Sequence, residues 1–138
     1  MLFRSKSEGA RWDLKYAAGG LIDLEFIAQY LQLVHAARLP DILETSTARA
    51  LDKAWQLGVL KADDADVLRP AVRLHHDLTQ ILRLCLPGPF DPKTAGVGLL
   101  GLLARAADLP DFATLDAHLA ETQSRVRNVF TSILGEEP

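Results

Sequence analysis

Two carboxylates stand just after a glycine pair in the stretch DLKYAAGGLIDLEF. Gly19 and Gly20 predict a turn, and Asp23 and Glu25 then fall at the start of an apolar helix. Negative charge at that position complements the helix dipole by a few tenths of a kcal/mol up to about 1 kcal/mol. Dipole complementation does not account for the polar segment with Lys15 that leads into the helix. A functional role for these five residues therefore stays open beside the structural one.

The other residues that could do chemistry do not form a set. His75 and His76 are adjacent, so on a helix they point about 100° apart and cannot bind one metal as an i, i+4 pair could. We interpret them as surface or core-edge histidines. His35 and His118 receive the same interpretation. Cys85 lies on the apolar stripe of its helix, which favours a small buried hydrophobe over a nucleophile.

The composition is that of one folded domain. The chain has 138 residues, of which 49% are hydrophobic and 24% charged. A net charge of −3 leaves no concentrated cationic field of the kind that nucleic-acid binding requires. A single cysteine excludes an internal disulfide and a thiolate zinc cage. The apolar stretches are shorter than about twenty residues and no signal-peptide core is present, so we expect a cytoplasmic protein with neither nucleic-acid nor membrane partners.

Apolar spacing predicts a first helix from Leu21 to about Arg38, ended by Pro40. One apolar stripe of this helix comprises Leu24, Ile27, Leu31 and Val34, and an adjoining stripe comprises Phe26, Tyr30 and Leu33. Because the helix is apolar over most of its girth, we expect it to be central in the fold.

Two further helices follow in the pattern. A short one is predicted to start near Thr45 to Thr47 and to end at Gly58, with hydroxyl side chains at its start and glycine at its end. A longer one is predicted over residues 62–86. Pro70 lies inside it and removes a backbone hydrogen bond, so we expect this helix to kink near residues 66–70 or to split in two.

The segment PGPFDP interrupts the helical pattern at residues 87–92. Asp91 followed by Pro92 predicts the start of a fourth helix that runs to Leu103. Three glycines fall in this region: Gly96, Gly98 and Gly101. They are not a phosphate loop, because the lysine and the preceding strand are absent. Either they permit close packing against another helix, or this helix is the least stable of the set.

The last helix has the most regular pattern, and Gly135 stands where a C-terminal cap belongs. Its apolar register comprises Phe112, Leu115, Leu119, Thr122, Val126, Val129 and Ile133. We expect it to lie along the first helix. No run alternates with period two, so the sequence predicts an all-α bundle of four or five antiparallel helices over residues 21–138, with an extended lead-in over residues 1–20.

The segment WDLKYAAGGLIDLEFIAQYLQLVHA resembles the signature of the bacterial glutamine synthetase adenylyltransferase family, bifunctional enzymes that add AMP to glutamine synthetase and remove it. In that family a K-x-x-x-G-G-[LIV]-x-[DE]-[IL]-E-F-[IV]-x-Q segment follows each nucleotidyltransferase domain and opens a helical domain. The matching residues are Lys15, Gly19, Gly20, Leu21, Asp23, Leu24, Glu25, Phe26, Ile27 and Gln29. Ala18 departs from the Arg or Pro that such families often carry before the glycine pair. The order of later segments is also similar, up to V-R-N-V-F at residues 126–130.

The resemblance implies that this chain is a C-terminal helical domain without the catalytic one. The family's nucleotidyltransferase domain binds ATP phosphates and magnesium with a glycine-serine turn and a pair of aspartates, and this sequence has no glycine-serine turn followed by a D-x-D pair on a strand. ATP and magnesium are thus implied for the missing domain, and no cofactor and no catalysis for this chain alone. The implied partners are its own nucleotidyltransferase domain, glutamine synthetase and the P-II signal protein.

Within that resemblance, Lys15, Gly19, Gly20, Asp23 and Glu25 are candidates for a domain junction close to the active site. The two acids would hold a cationic residue in place or shape the field around magnesium and phosphates. An independent helical interaction module, with no enzymatic partner in the same chain, is the alternative. The polar lead-in and its glycine pair favour the accessory domain, because a free-standing module has little need of them.

Overall fold

The computed structural model describes residues 10–135. Five α-helices lie wholly within this range, and none of the described residues forms a strand. The helices are α1 (Leu21–His35), α2 (Thr47–Gln56), α3 (Ala62–Cys85), α4 (Val97–Ala106) and α5 (Phe112–Leu134), with a short 3-10 turn at Pro40–Ile42. The all-α bundle predicted from the sequence is confirmed.

Two hydrophobic clusters form the core. The first joins α1, α2, the start of α3 and the end of α5, and its fully buried members include Leu24, Ile27, Leu51, Leu68 and Val126. The second joins the lead-in, the middle of α3, α4 and the start of α5, and its buried members are Trp12, Leu14, Leu74, Leu78, Leu103, Leu115 and Leu119. The two long helices α3 and α5 therefore run through both clusters and hold them together.

Helix α5 begins and ends where its sequence indicated. The carboxylate of Asp111 accepts a hydrogen bond from the Thr114 amide at 2.8 Å, which lowers the pKa of that carboxyl. Gly135 closes the helix with a positive φ of 92°. The expected packing along α1 holds only for the second half of α5, because Val126 lies in the first cluster while Leu119 lies in the second, away from α1.

Helix α3 continues through Pro70 as a single helix of 24 residues, so the alternative in which it splits is wrong. Leu68 and Ala71, on either side of the proline, are fully buried. Burial of such side chains is worth about 1.5–3 kcal/mol each for the larger ones, which is comparable with the roughly 3 kcal/mol that an internal proline costs. Tertiary packing therefore keeps the helix in one piece.

The predicted start of the fourth helix at Asp91 is wrong. Asp91 instead caps a single turn, in which its carboxylate accepts from the Lys93 amide at 3.0 Å. The chain then becomes extended at Gly96, and α4 begins at Val97. A β-carbon on Gly98 or Gly101 would have no neighbouring atom within 4 Å, so these glycines do not serve close packing. The low stability of α4 stays a prediction.

Candidate functional site

The residues before α1 form a series of hydrogen-bonded turns that fold back onto the start of that helix. The amide of Leu21 donates to the carbonyl of Leu14 at 2.9 Å, and the amide of Ile22 donates to the carbonyl of Lys15 at 2.9 Å. The first amides of a helix lack partners within the helix. The lead-in supplies those partners through its backbone carbonyls. Residues 10–20 therefore form turns that pack on the bundle rather than an extended segment.

Both glycines of the pair are needed for this turn. Gly19 has a φ of +80°, and a β-carbon there would lie 1.9 Å from the carbonyl oxygen of Gln123 in α5. A β-carbon on Gly20 would lie 2.5 Å from the carbonyl oxygen of Leu14. The left-handed conformation and the contact of backbone with backbone each exclude a side chain at Gly19. The glycine pair thus lets the turn pack directly on α5.

Asp23 ties the same turn to α5. Its Oδ2 atom accepts a hydrogen bond from the Gly19 amide at 2.6 Å and another from Nη1 of Arg127 at 3.0 Å. The side chains of Asp23 and Arg127 are only 13% and 29% exposed, and the guanidinium also lies over the ring of Phe130. Hydrogen bonds to charged groups in such a partly buried place are stronger than exposed ones. Asp23 therefore holds the turn, α1 and α5 together.

Two further contacts hold the lead-in on α5. Nη1 of Arg11 lies 3.0 Å from Oδ2 of Asp116, and Nε1 of Trp12 donates to Oδ1 of the same carboxylate at 2.8 Å. The Trp12 ring packs between Phe90 and Phe112, with centroid distances of 5.0 and 5.3 Å. The lead-in is thus fixed in place by charge, hydrogen bonding and aromatic packing.

Lys15 and Glu25 have a different environment from the other three candidates. Both line an open groove of about 960 Å³ between the lead-in, the start of α1, the second half of α3 and residues 86–90. The groove also presents Arg83 and Gln80 of α3 beside apolar side chains. Among residues 10–135 the Glu25 carboxylate has neither a hydrogen-bond donor nor an ion-pair partner. Glu25 and Lys15 are therefore charged groups on a surface that other molecules can reach.

His75 is fully buried, so its interpretation as a surface or core-edge residue is wrong. Its Nδ1 lies 2.9 Å from the carbonyl oxygen of Ala71, and its Nε2 lies 3.2 Å from Nε2 of Gln123. Gln123 also donates to the carbonyl of Arg11 at 2.8 Å. Nε2 of Gln123 can only donate and the Ala71 carbonyl can only accept, so Nε2 of His75 accepts and Nδ1 carries the proton. With both ring nitrogens engaged, His75 has a structural role.

Burial of the His75 imidazole lowers its pKa, because the charged form loses its hydration. The backbone bond to Ala71 acts in the opposite direction and the neighbouring His76 adds to the lowering. The sequence carried a weak signal for this burial, since His75 follows Ala71 by four residues on the apolar side of α3. Its decisive partner, Gln123, is 48 residues away.

The remaining chemical candidates are distributed over the surface. Cys85 ends α3 and is exposed, so the expectation that it is buried is wrong. Within residues 10–135, no cluster of three or more His, Cys, Asp or Glu side chains has a geometry suited to a metal ion. The described helices are all too short or too polar to cross a membrane.

Comparison with known proteins identifies the family to which the chain belongs. A family model described as GlnD PII-uridylyltransferase matches residues 3–134. The bifunctional glutamine synthetase adenylyltransferase/adenylyl-removing enzyme of Rhodopseudomonas palustris strain HaA2 is 61% identical over 132 residues, which cover 96% of this chain and 13% of that protein. The protein of the same name from Bradyrhizobium diazoefficiens is 59% identical over 131 residues, 95% of this chain and 13% of that protein.

A third relative of that name, from Xanthobacter autotrophicus, is 53% identical over 94% of this chain. The chain spans about 13% of the length of these relatives. It therefore belongs to the GlnD PII-uridylyltransferase family, and the resemblance to glutamine synthetase adenylyltransferases seen in its sequence is confirmed.

Proposed function

We propose that this chain is a helical accessory domain of the bifunctional enzyme that adenylylates and deadenylylates glutamine synthetase. The observation that carries the proposal is the 61% identity over 96% of the chain to one segment, 13% in length, of such an enzyme. In this role the bundle packs on the nucleotidyltransferase domain and helps to present glutamine synthetase to it. ATP and magnesium act in that other domain, and this chain alone transfers no AMP.

The geometry of the glycine turn supports a division of roles among the five candidates. Gly19, Gly20 and Asp23 fix the path of the lead-in against α5. Lys15 and Glu25 are thereby held at the groove. In the proposed arrangement this groove faces the neighbouring domain. A fixed turn that presents unpaired charge suits a domain junction, because a site needs rigid supports to place its charged groups.

The protein partner follows from the names of the relatives, whose substrate is glutamine synthetase. The family description names PII, which supports the P-II signal protein as a second candidate partner. The alternative, an interaction module with no catalytic domain in the same chain, predicts binding to these proteins without any effect on transfer.

The proposal is tested with a hybrid enzyme, in which this chain replaces the matching 132-residue segment of the Rhodopseudomonas palustris HaA2 relative. We expect the hybrid to adenylylate glutamine synthetase at a rate within about tenfold of the parent enzyme, while the isolated chain transfers no AMP. A hybrid that folds with the parent's melting profile yet is inactive would contradict the accessory role, as would transfer by the isolated chain.

Glu25→Gln in the hybrid tests the junction. It should lower adenylyl transfer at least tenfold, a loss of about 1.4 kcal/mol in transition-state stabilisation. The matched control is Glu121→Gln, which should leave the rate unchanged, because Glu121 is an exposed acid of α5 that pairs with Arg125 of the same helix. Equal rates for both variants would show that Glu25 is no more than a residue at the start of a helix.

A further inference from the structure

Helix α1 has an exposed apolar face opposite its buried one. Phe26, Tyr30 and Leu33 are 49%, 39% and 82% exposed, and Val34 is also exposed. Spacings of four and three residues put the first three on one side of the helix. The expectation that α1 is central in the fold therefore holds for its buried face, whereas this second stripe is exposed among the residues that the structure describes.

The face has the anatomy of an interface. The largest contiguous apolar patch on a soluble monomer measures about 300–600 Å² and is often functional. Gln29 and Glu25 border the patch on one side, which gives it a polar rim like those of protein interfaces. Glu25 also lines the groove, and Leu21 does so one turn earlier. The apolar face and the charged groove are thus adjacent along α1.

The size of the patch argues against a second copy of the chain as its occupant. Each partner in a stable interface of standard size buries about 800 Å². Four side chains of this kind expose only a few hundred Å² in total. A domain of the same polypeptide needs less contact area, because covalent linkage gives it a high effective concentration. The matching segment is 13% of the length of the relatives, so most of their chain lies outside it.

We propose that the face formed by Phe26, Tyr30 and Leu33 is the docking surface for the nucleotidyltransferase domain of the same polypeptide. The identity of that domain rests on the proposed function above. Docking would cover the three side chains and close one side of the groove over Glu25 and Lys15. The apolar face would then form the hydrophobic contact between the two domains, and the groove would provide the charged groups at their junction.

The test measures whether the face is covered. Leu33→Cys is made in a Cys85→Ser background, because Cys85 is itself exposed. Its rate of modification by a maleimide is followed by mass spectrometry, in the isolated chain and in the hybrid enzyme. Leu84→Cys is the matched control, since Leu84 is 78% exposed on α3 and Leu33 is 82% exposed. We expect Leu33→Cys to react at least tenfold more slowly in the hybrid, and Leu84→Cys to react equally in both.

Each other result has a definite meaning. Equal reactivity of Leu33→Cys in both proteins would overturn the docking surface, even if the hybrid transfers AMP and the proposed function stands. Protection of Leu33→Cys in a hybrid that transfers no AMP would support the docking surface and contradict the proposed function. Protection in the isolated chain that rises with concentration, with a dimer seen by sedimentation, would overturn the proposal in favour of self-association.

A second variant shows whether coverage matters to the enzyme. Leu33→Glu should leave the melting temperature of the isolated chain within about 2 °C, because exposed substitutions change stability by less than about 0.5 kcal/mol. In the hybrid it should lower adenylyl transfer at least tenfold, whereas Leu84→Glu should not. Transfer at the parental rate by the Leu33→Glu hybrid would contradict docking through this face.

Discussion

The guanidinium of Arg127 near the end of α5 lies 3.0 Å from the carboxylate of Asp23 in the first turn of α1. The same carboxylate oxygen accepts the Gly19 amide. Glu25, two residues further along the chain, lies at the groove with no such partner among the described residues. The two acids that follow the glycine pair therefore have different roles, one inside the bundle and one on its surface.

Asp23→Asn should destabilise the isolated chain by about 1.5–3 kcal/mol, the range for hydrogen bonds that involve charged groups. The amide can still accept from Gly19, but it leaves Arg127 facing a neutral group in a partly buried place. Urea unfolding followed by circular dichroism measures the change. Glu25→Gln is the matched control and should stay within about 0.5 kcal/mol of the parent. Equal losses for the two variants would mean that the Arg127 contact contributes nothing specific.

Gly19→Ala should cost about 2–5 kcal/mol. The new β-carbon would lie 1.9 Å from the carbonyl oxygen of Gln123, and the φ of +80° is unfavourable for alanine. For Gly101→Ala in α4 we expect the opposite, an increase of about 0.5–1 kcal/mol in the free energy of unfolding. The new β-carbon meets no atom within 4 Å, and alanine is the better helix former. Thermal unfolding of both variants checks the pair. A parental melting temperature for Gly19→Ala would show that the turn relaxes without loss.

The sequence predicted the helices well wherever one apolar register dominated. In α5, Leu115, Leu119 and Val126 fall on one side at steps of four and seven, and all three are fully buried. Gly135 ends the helix through its own backbone angle, so its residue type alone located that end.

Features set by distant partners could not be predicted in this way. Helix α1 carries two apolar stripes, and only the positions of the other helices decide that Ile27 is buried while Phe26 is exposed. His75 is buried because Gln123 satisfies its second ring nitrogen from another helix. Of the five candidate residues, the glycine pair was predicted as a turn, but the contact of Asp23 with Arg127 spans 104 residues and left no local pattern.

The buried His75 makes the stability of the fold depend on pH in a definite direction. Burial lowers its pKa below the ordinary value of about 6.5, so below about pH 6.5 the unfolded chain binds a proton that the folded chain does not. The contribution of His75 to the free energy of unfolding is therefore fully present above about pH 6.5 and decreases as the pH falls below that value. One proton gives at most about 1.4 kcal/mol per pH unit.

His75→Gln isolates this effect. The variant should be less stable than the parent at pH 8, because it disturbs the contacts with Ala71 and Gln123. Its loss of stability between pH 7 and pH 5.5 should nevertheless be smaller, since the group that must stay neutral in the fold is gone. His76→Gln is the matched control: His76 is the next residue of the same helix and is exposed, so that variant should keep most of the parental slope. Urea unfolding at each pH measures the slopes, and a His75→Gln slope equal to that of the parent would show that other groups cause the acid sensitivity.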